Sequence, residues 1–134
     1  MAWHLLLLED EASVREAFAL RLRDQGYVVQ TAESGDEALG LLRSFEPDVL
    51  VVDLVMPNFS GLEVLSRVRQ MSPAHKIIVL TARGTVKDAV EAMRLGAFDF
   101  VAKSIDMDDL LHTLRRATEF LTLQRQVQLH SGQD

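Results

Sequence analysis

The chain contains no cysteine. Disulfide scaffolds, thiolate metal sites and cysteine nucleophiles are therefore excluded. Long apolar runs are also missing. No purely apolar stretch outruns the four residues of Leu5–Leu8, far short of a membrane span. The start of the chain lacks the basic flank and small-residue cleavage site of a secretory signal. Basic residues are in the minority, with 14 Lys and Arg against 20 Asp and Glu, for a formal charge of −6. No basic run exceeds Arg115-Arg116, so the chain lacks the cationic face that direct nucleic-acid binding needs. Glycine-rich phosphate loops of the GxGxxG or Walker type are absent, as is any apparent Ser-His-Asp set. His4, His75, His112 and His130 are scattered without ligand spacing and read as surface or edge residues.

What remains is an ordinary soluble composition, 48% hydrophobic and 25% charged, in 134 residues that suit one domain. Five short apolar runs recur along it: Leu5–Leu8, Tyr27–Val29, Val49–Val52, Ile77–Leu80 and Phe98–Val101. They are numbered β1 to β5. Several are continuous, as expected of parallel strands covered on both faces. Between and after them, apolar residues recur at helical spacing. The sets are Val14, Ala17, Phe18, Leu22 (α1); Ala38, Leu41, Leu42, Phe45 (α2); Val64, Leu65, Val68, Met71 (α3); Val86, Ala89, Val90, Met93 (α4); and Met107, Leu110, Leu111, Leu114, Leu121 (α5). Met71, Met93 and Met107 read as core fillers on these faces. Ser13…Glu16, Ser34…Glu37 and Ser60…Glu63 have capping-box spacing, with weaker versions at Thr85…Asp88 and Asp106…Asp109. Gly26 and Gly96 stand where helices stop.

The string βαβαβαβαβα predicts an α/β doubly wound five-stranded parallel sheet with five helices. The flavodoxin-like strand order 2-1-3-4-5 places its switch point between β1 and β3, and ligands bind outside the carboxyl ends of those strands. Glu9, Asp10 and Glu11 follow β1, Asp53 ends β3, Thr81 ends β4 and Lys103 follows β5. Three converging carboxylates repel one another unless protons or a cation neutralise them. All the donors are hard oxygens, which suits Mg²⁺, and Mg²⁺ readily shares a phosphoryl oxygen. Thr81 and Lys103 can contact the other phosphoryl oxygens. With no nucleotide loop, the phosphoryl group is expected on the protein itself, and Asp53 is the candidate acceptor.

The set Leu8-Glu9-Asp10-Glu11, Val52-Asp53-Leu54-Val55-Met56-Pro57 with Gly61, Leu80-Thr81-Ala82 and Lys103 resembles the receiver domain of two-component response regulators. The resemblance spans about residues 4 to 120. The segment from Ala89 to Phe100 looks most like receivers of bacterial enhancer-binding transcription activators. This resemblance implies that Asp53 takes a phosphoryl group from a phosphohistidine on a sensor histidine kinase or phosphotransfer protein. It implies that Glu9, Asp10, Asp53 and the Val55 backbone carbonyl hold Mg²⁺. Lys103, Thr81 and the Ala82 backbone N–H would bind the phosphoryl group, with Thr81 and Phe100 acting as the switch. The α4-β5-α5 face would carry the change to an output domain, an effector or a second copy of the chain, in the cytoplasm. Such a domain catalyses its own phosphorylation and turns over no external substrate.

Two departures stand out. Glu9 replaces a common Asp, and Ser104 replaces the usual Pro after the Lys, so a trans Lys103–Ser104 bond is expected. A Mg²⁺-dependent phosphatase with an Asp53 nucleophile is the first alternative, but Val55 stands where such an enzyme wants a second Asp. A degenerate receiver acting only as an interaction module is the second, but it would need a broken acceptor, metal or Lys position. Residues 1–121 are read as the domain and 122–134 as a helical extension, tether or tail. There Leu123, Val127 and Leu129 continue the pattern of Phe120 and Leu121, without sustained heptads.

Overall fold

Alternation along buried strands decides the architecture. The computed structural model describes residues 2–56, 59–71, 75–81, 86–103 and 107–131. The main sheet comprises β1 (His4–Leu8), β2 (Val28–Ala32), β3 (Val49–Asp53), β4 (Lys76–Thr81) and β5 (Asp99–Ala102). All its pairings are parallel, in the expected order β2-β1-β3-β4-β5. The helices are α1 (Ala12–Asp24), α2 (Gly35–Leu41), α3 (Gly61–Met71), α4 (Val86–Arg94) and α5 (Asp108–Ser131).

Successive strand residues point to opposite faces. Leu5, Leu7, Val49, Val51, Ile78 and Leu80 meet Phe18, Ala19 and Leu22 of α1 and Leu110, Leu111, Leu114 and Leu121 of α5. Leu6, Leu8, Leu50, Val52, Ile77 and Val79 meet Ala38 of α2, Val64, Leu65 and Val68 of α3, and Ala92 of α4. Both faces are covered, so β1, β3 and β4 are apolar nearly throughout. Strand β2 lies at the edge. Its exposed Gln30 and half-buried Thr31 concealed the strand's true length from an apolar-run reading.

Local signals hold in part. The Glu37 N–H donates to Ser34 Oγ at 3.1 Å, the expected cap of α2. Gly26 and Gly96 have φ of 95° and 101°, as helix-terminating glycines require. The Ser13…Glu16 box does not form. Helix α1 starts earlier, with Glu11 at the N-cap; its side chain caps no backbone N–H and instead accepts from Ser13 Oγ at 3.4 Å. The two weaker boxes involve Thr85 and Asp106, outside the described residues. A short antiparallel hairpin, Val55–Met56 against Phe59–Ser60, adds to the expected elements.

The largest correction concerns α4. Val86, Val90 and Met93 are 83%, 53% and 46% exposed, and Ala92 is the buried contact instead. Met71 is likewise half-exposed, whereas Met107 is buried as expected. The small Ala92 lets the helix lie close to the sheet, and its larger apolar side chains then point away. Leu114→Ala should accordingly destabilise the domain by about 2–5 kcal/mol. Met93→Ala should change stability by less than about 0.5 kcal/mol. Urea denaturation of the two variants checks this contrast.

Candidate functional site

Register brings the acidic residues together. Strands β1 and β3 are neighbours, with Leu8 opposite Val52, so the residues just beyond both carboxyl ends share one rim. Glu9 follows β1 and Asp53 ends β3; they are only 1% and 4% exposed. Carboxylate oxygens of Glu9, Asp10 and Asp53 lie within 4.8 Å of one another. Thr81 ends β4 and is buried. Its carbonyl accepts a 2.8 Å bond from the Lys103 N–H, which fixes the chain leaving β5. The Lys103 ammonium then reaches across the rim, donating to Glu9 Oε1 at 2.6 Å and to Asp53 Oδ2 at 3.1 Å. Of the six polar residues expected at the strand ends, Glu9, Asp10, Asp53 and Lys103 cluster here with Thr81 beside them, whereas Glu11 is exposed at the start of α1.

Phe100 lies opposite Val79 and Ala102 opposite Thr81. Thr81 and Phe100 are thus diagonal neighbours on the same sheet face. The Phe100 ring is half-buried against the cluster below α3 and α4. Val55 opens the short hairpin two residues past Asp53. Ala82 and the Lys103–Ser104 bond lie outside the described residues.

Two structural contributors escaped the sequence reading. Arg15 Nη1 donates to the carbonyls of Glu9 and Asp10 at 3.0 and 3.3 Å, holding the acidic loop from the first turn of α1. Nothing in the spacing distinguished it from a solvated arginine. The second is Gly61, part of the motif, whose role is steric. A Cβ there would stand 2.5 Å from the Asp53 carbonyl oxygen and 2.7 Å from Leu54 Cα. Only glycine lets α3 begin this close to the candidate acceptor.

The electrostatics follow from burial. Burial, then the neighbouring Asp53 carboxylate, pushes the Glu9 carboxyl from 4.5 up to about 8, against the pull of Lys103. Burial opposes the Lys103 ammonium, but its bonds to Glu9 and Asp53 outweigh that and raise its pKa. Glu9 Oε2 is buried and accepts no hydrogen bond among the described residues. This unpartnered oxygen and the clustered carboxylates of Glu9, Asp10 and Asp53 offer hard donors that fit a divalent cation such as Mg²⁺. A groove of about 750 Å³ lies elsewhere, between α2 and α3, lined in part by Asp36, Arg43, Glu63 and Arg67. It contains none of the rim residues.

The family model for the response regulator receiver domain matches residues 5–115. This chain belongs to the response regulator receiver domain family. The receiver domain is 37% identical over 116 residues to the transcriptional regulatory protein GlrR of Escherichia coli, covering 87% of this chain and 26% of GlrR. It thus spans about a quarter of that relative's length. Its structure resembles NtrX from Brucella abortus with a TM-score of 0.88 at 30% identity, over 96% of this chain and 29% of NtrX. It also resembles the Thermotoga maritima response regulator TrrA, solved in complex with Mg²⁺-BeF. There the TM-score is 0.79 at 33% identity, over 87% of this chain and 99% of that one. Among the described residues no helix is long and apolar enough to cross a membrane.

The raised Glu9 pKa makes stability depend on pH with a definite sign. Folding takes up a proton wherever the folded pKa exceeds the unfolded one. The stabilising contribution is complete below pH 4.5 and is lost as pH rises through about 8. The melting temperature of the metal-free receiver domain should therefore fall between pH 5 and 8. Glu9→Gln should flatten that slope, as differential scanning calorimetry would reveal; equal slopes in both proteins would contradict the assignment.

Proposed function

We propose that this receiver domain is a phosphoryl-accepting switch whose acceptor is Asp53. The observation that carries the reading is the position of Lys103, within hydrogen-bond reach of both buried carboxylates at the carboxyl rim. Glu9, Asp10 and Asp53, with the Val55 carbonyl, would hold Mg²⁺. Once bound, the ion supplies positive charge against both the acceptor and the phosphoryl oxygens. The donor is a phosphohistidine on a sensor histidine kinase or phosphotransfer protein. An Asp53 carboxylate oxygen attacks phosphorus, a new O–P bond forms, the P–N bond breaks and its electron pair stays on the imidazole.

The remaining residues have complementary tasks. Lys103 already touches Asp53 and is placed to follow the charge onto a phosphoryl oxygen. The Thr81 hydroxyl and Ala82 N–H donate to the other oxygens. Movement of Thr81 opens space on the sheet face it shares with Phe100, whose half-buried ring turns inward. That motion alters the α4-β5-α5 face, where Val86 and Val90 are exposed. An output domain or effector reads the change, in the cytoplasm and to a transcriptional end, without this chain touching nucleic acid or membrane. The phosphatase alternative still lacks its second Asp at Val55. The degenerate-module alternative fails to explain an acceptor, acidic cluster and lysine that are all in place.

A small phosphodonor with Mg²⁺ tests this reading. The expected product is a stoichiometric adduct, acid-stable and base-labile, mapped to Asp53 by mass spectrometry. Asp53→Asn should abolish it, and Asp10→Ala should remove both the adduct and Mg²⁺ binding measured by calorimetry. Continuous phosphate release would indicate a phosphatase. The absence of any adduct would leave an interaction module, and an adduct at another residue would refute the acceptor assignment.

A further inference from the structure

A single residue closes the acidic loop from behind. Residues 9–11 carry the chain from β1 into α1, and their consecutive carbonyls all accept from Arg15. Its N–H donates to the Glu11 carbonyl at 2.9 Å, the bond that opens α1. Its Nη1 donates to the Glu9 and Asp10 carbonyls at 3.0 and 3.3 Å. Its Nη2 lies 3.9 Å from Glu33 Oε2, just beyond β2, and the whole side chain is only 16% exposed. From the other side, the Glu9 N–H donates to the Ala32 carbonyl at 3.1 Å. The helix that carries Arg15 is anchored in turn, with Phe18, Ala19 and Leu22 buried against the sheet.

What this brace holds is the aim of Asp10. The Glu9 and Asp10 carbonyls belong to the two peptide units that flank the Asp10 Cα. Each unit is planar, so holding both carbonyls fixes the direction of the Asp10 Cα–Cβ bond. Lys103 restrains the carboxylates of Glu9 and Asp53 directly. Asp10 has no such side-chain partner among the described residues, yet its carboxylate joins the cluster with oxygens within 4.8 Å of one another. Its direction therefore comes from the main chain. Mg²⁺ demands near-ideal octahedral geometry with ligands at about 2.1 Å, so a ligand that turns away is lost to it.

We infer that Arg15 is a positioning residue for the cation site: its guanidinium aims Asp10 into the rim and thereby sets the affinity for Mg²⁺. This role presupposes the Mg²⁺ reading of the rim proposed for this receiver domain. Two effects of the residue oppose each other. The guanidinium is itself a cation near a cation site, and charge alone would make it repel a second positive ion. Were its influence only electrostatic, removing it would tighten Mg²⁺ binding. Because it holds the ligand, removing it weakens binding in spite of the relieved repulsion.

Calorimetric titration of the unphosphorylated chain with Mg²⁺ decides between the two. Arg15→Ala should weaken binding by at least about tenfold, the usual loss when a group that orients a metal ligand is removed. Arg15→Lys keeps the charge but replaces the planar fork with a shorter ammonium, and its affinity should fall between those of the alanine variant and the unmodified chain. Glu33→Ala breaks only the long, exposed ion pair and should change the affinity by less than about twofold. Thermal melts separate this role from a merely structural one. In Arg15→Ala the rise in melting temperature on adding a fixed concentration of Mg²⁺ should shrink. A purely structural arginine would lower the metal-free melting temperature and leave that rise unchanged. Equal or tighter Mg²⁺ binding by Arg15→Ala would overturn the inference, as would an equal loss in Glu33→Ala. If Arg15→Ala does not fold, an undiminished affinity in Arg15→Lys would overturn it instead. Failure of the unmodified chain to bind Mg²⁺ would refute the cation site itself and this role with it, an outcome distinct from an unmodified chain that binds and a variant that binds equally well.

Discussion

Two carboxylates buried around one ammonium are the constraint on which this structure turns. Glu9 and Asp53 are nearly inaccessible to water, and Lys103 is shared between them. Isolated charges are not tolerated at such burial. The cluster persists because it sits at the end of a strongly apolar construction. Leu5–Leu8 and Val49–Val52 are buried on both faces of the sheet and deliver Glu9 and Asp53 to adjacent positions. Burial and the neighbouring Asp53 carboxylate push the Glu9 pKa upward, against the pull of Lys103. A site poised in this way responds to any change of charge at its centre, which is the property a switch requires.

Much of this was legible in the sequence because the signals were redundant. Continuous apolar runs implied two covered faces, the alternation of elements implied a doubly wound sheet of which 2-1-3-4-5 is one of the two common orders, and the strand ends then located Glu9, Asp10, Asp53, Thr81 and Lys103. Less legible was anything that depends on what a side chain packs against. The stripe Val86, Val90 and Met93 has helical period, and periodicity reports an apolar face without saying whether protein or solvent lies beside it. The Lys103–Glu9 bond depends on side-chain reach and rotamer. Arg125 and Asp48 are 77 residues apart, and no local pattern connects them. Gly61 was visible as part of a motif, but its close approach to Asp53 required coordinates.

Helix α5 joins the two ends of the molecule. It starts near the acidic rim, where Met107 packs into the core, and ends past the amino edge, where Arg125 meets Asp48. Between them Arg116 bonds Asp99 at the start of β5, the residue whose other carboxylate oxygen accepts from the Phe100 N–H. The strand carrying the candidate switch ring is thus tied to the helix that extends beyond the fold. The link is a mechanical one, made of contacts that shift only if the strand or the helix moves.

The most direct test of the central claim is a pair of amide ¹H–¹⁵N spectra, taken with Mg²⁺ alone and then with Mg²⁺ and beryllofluoride, the ligand combination found in TrrA. Mg²⁺ should first perturb residues 9–11 and 53–55. Beryllofluoride should then extend the shifts to Thr81, Lys103 and the β5 residues 99–101, ending at α4 and α5. Perturbations confined to the groove between α2 and α3, or an unchanged spectrum after both additions, would contradict the claim that the buried carboxylate cluster is the working site.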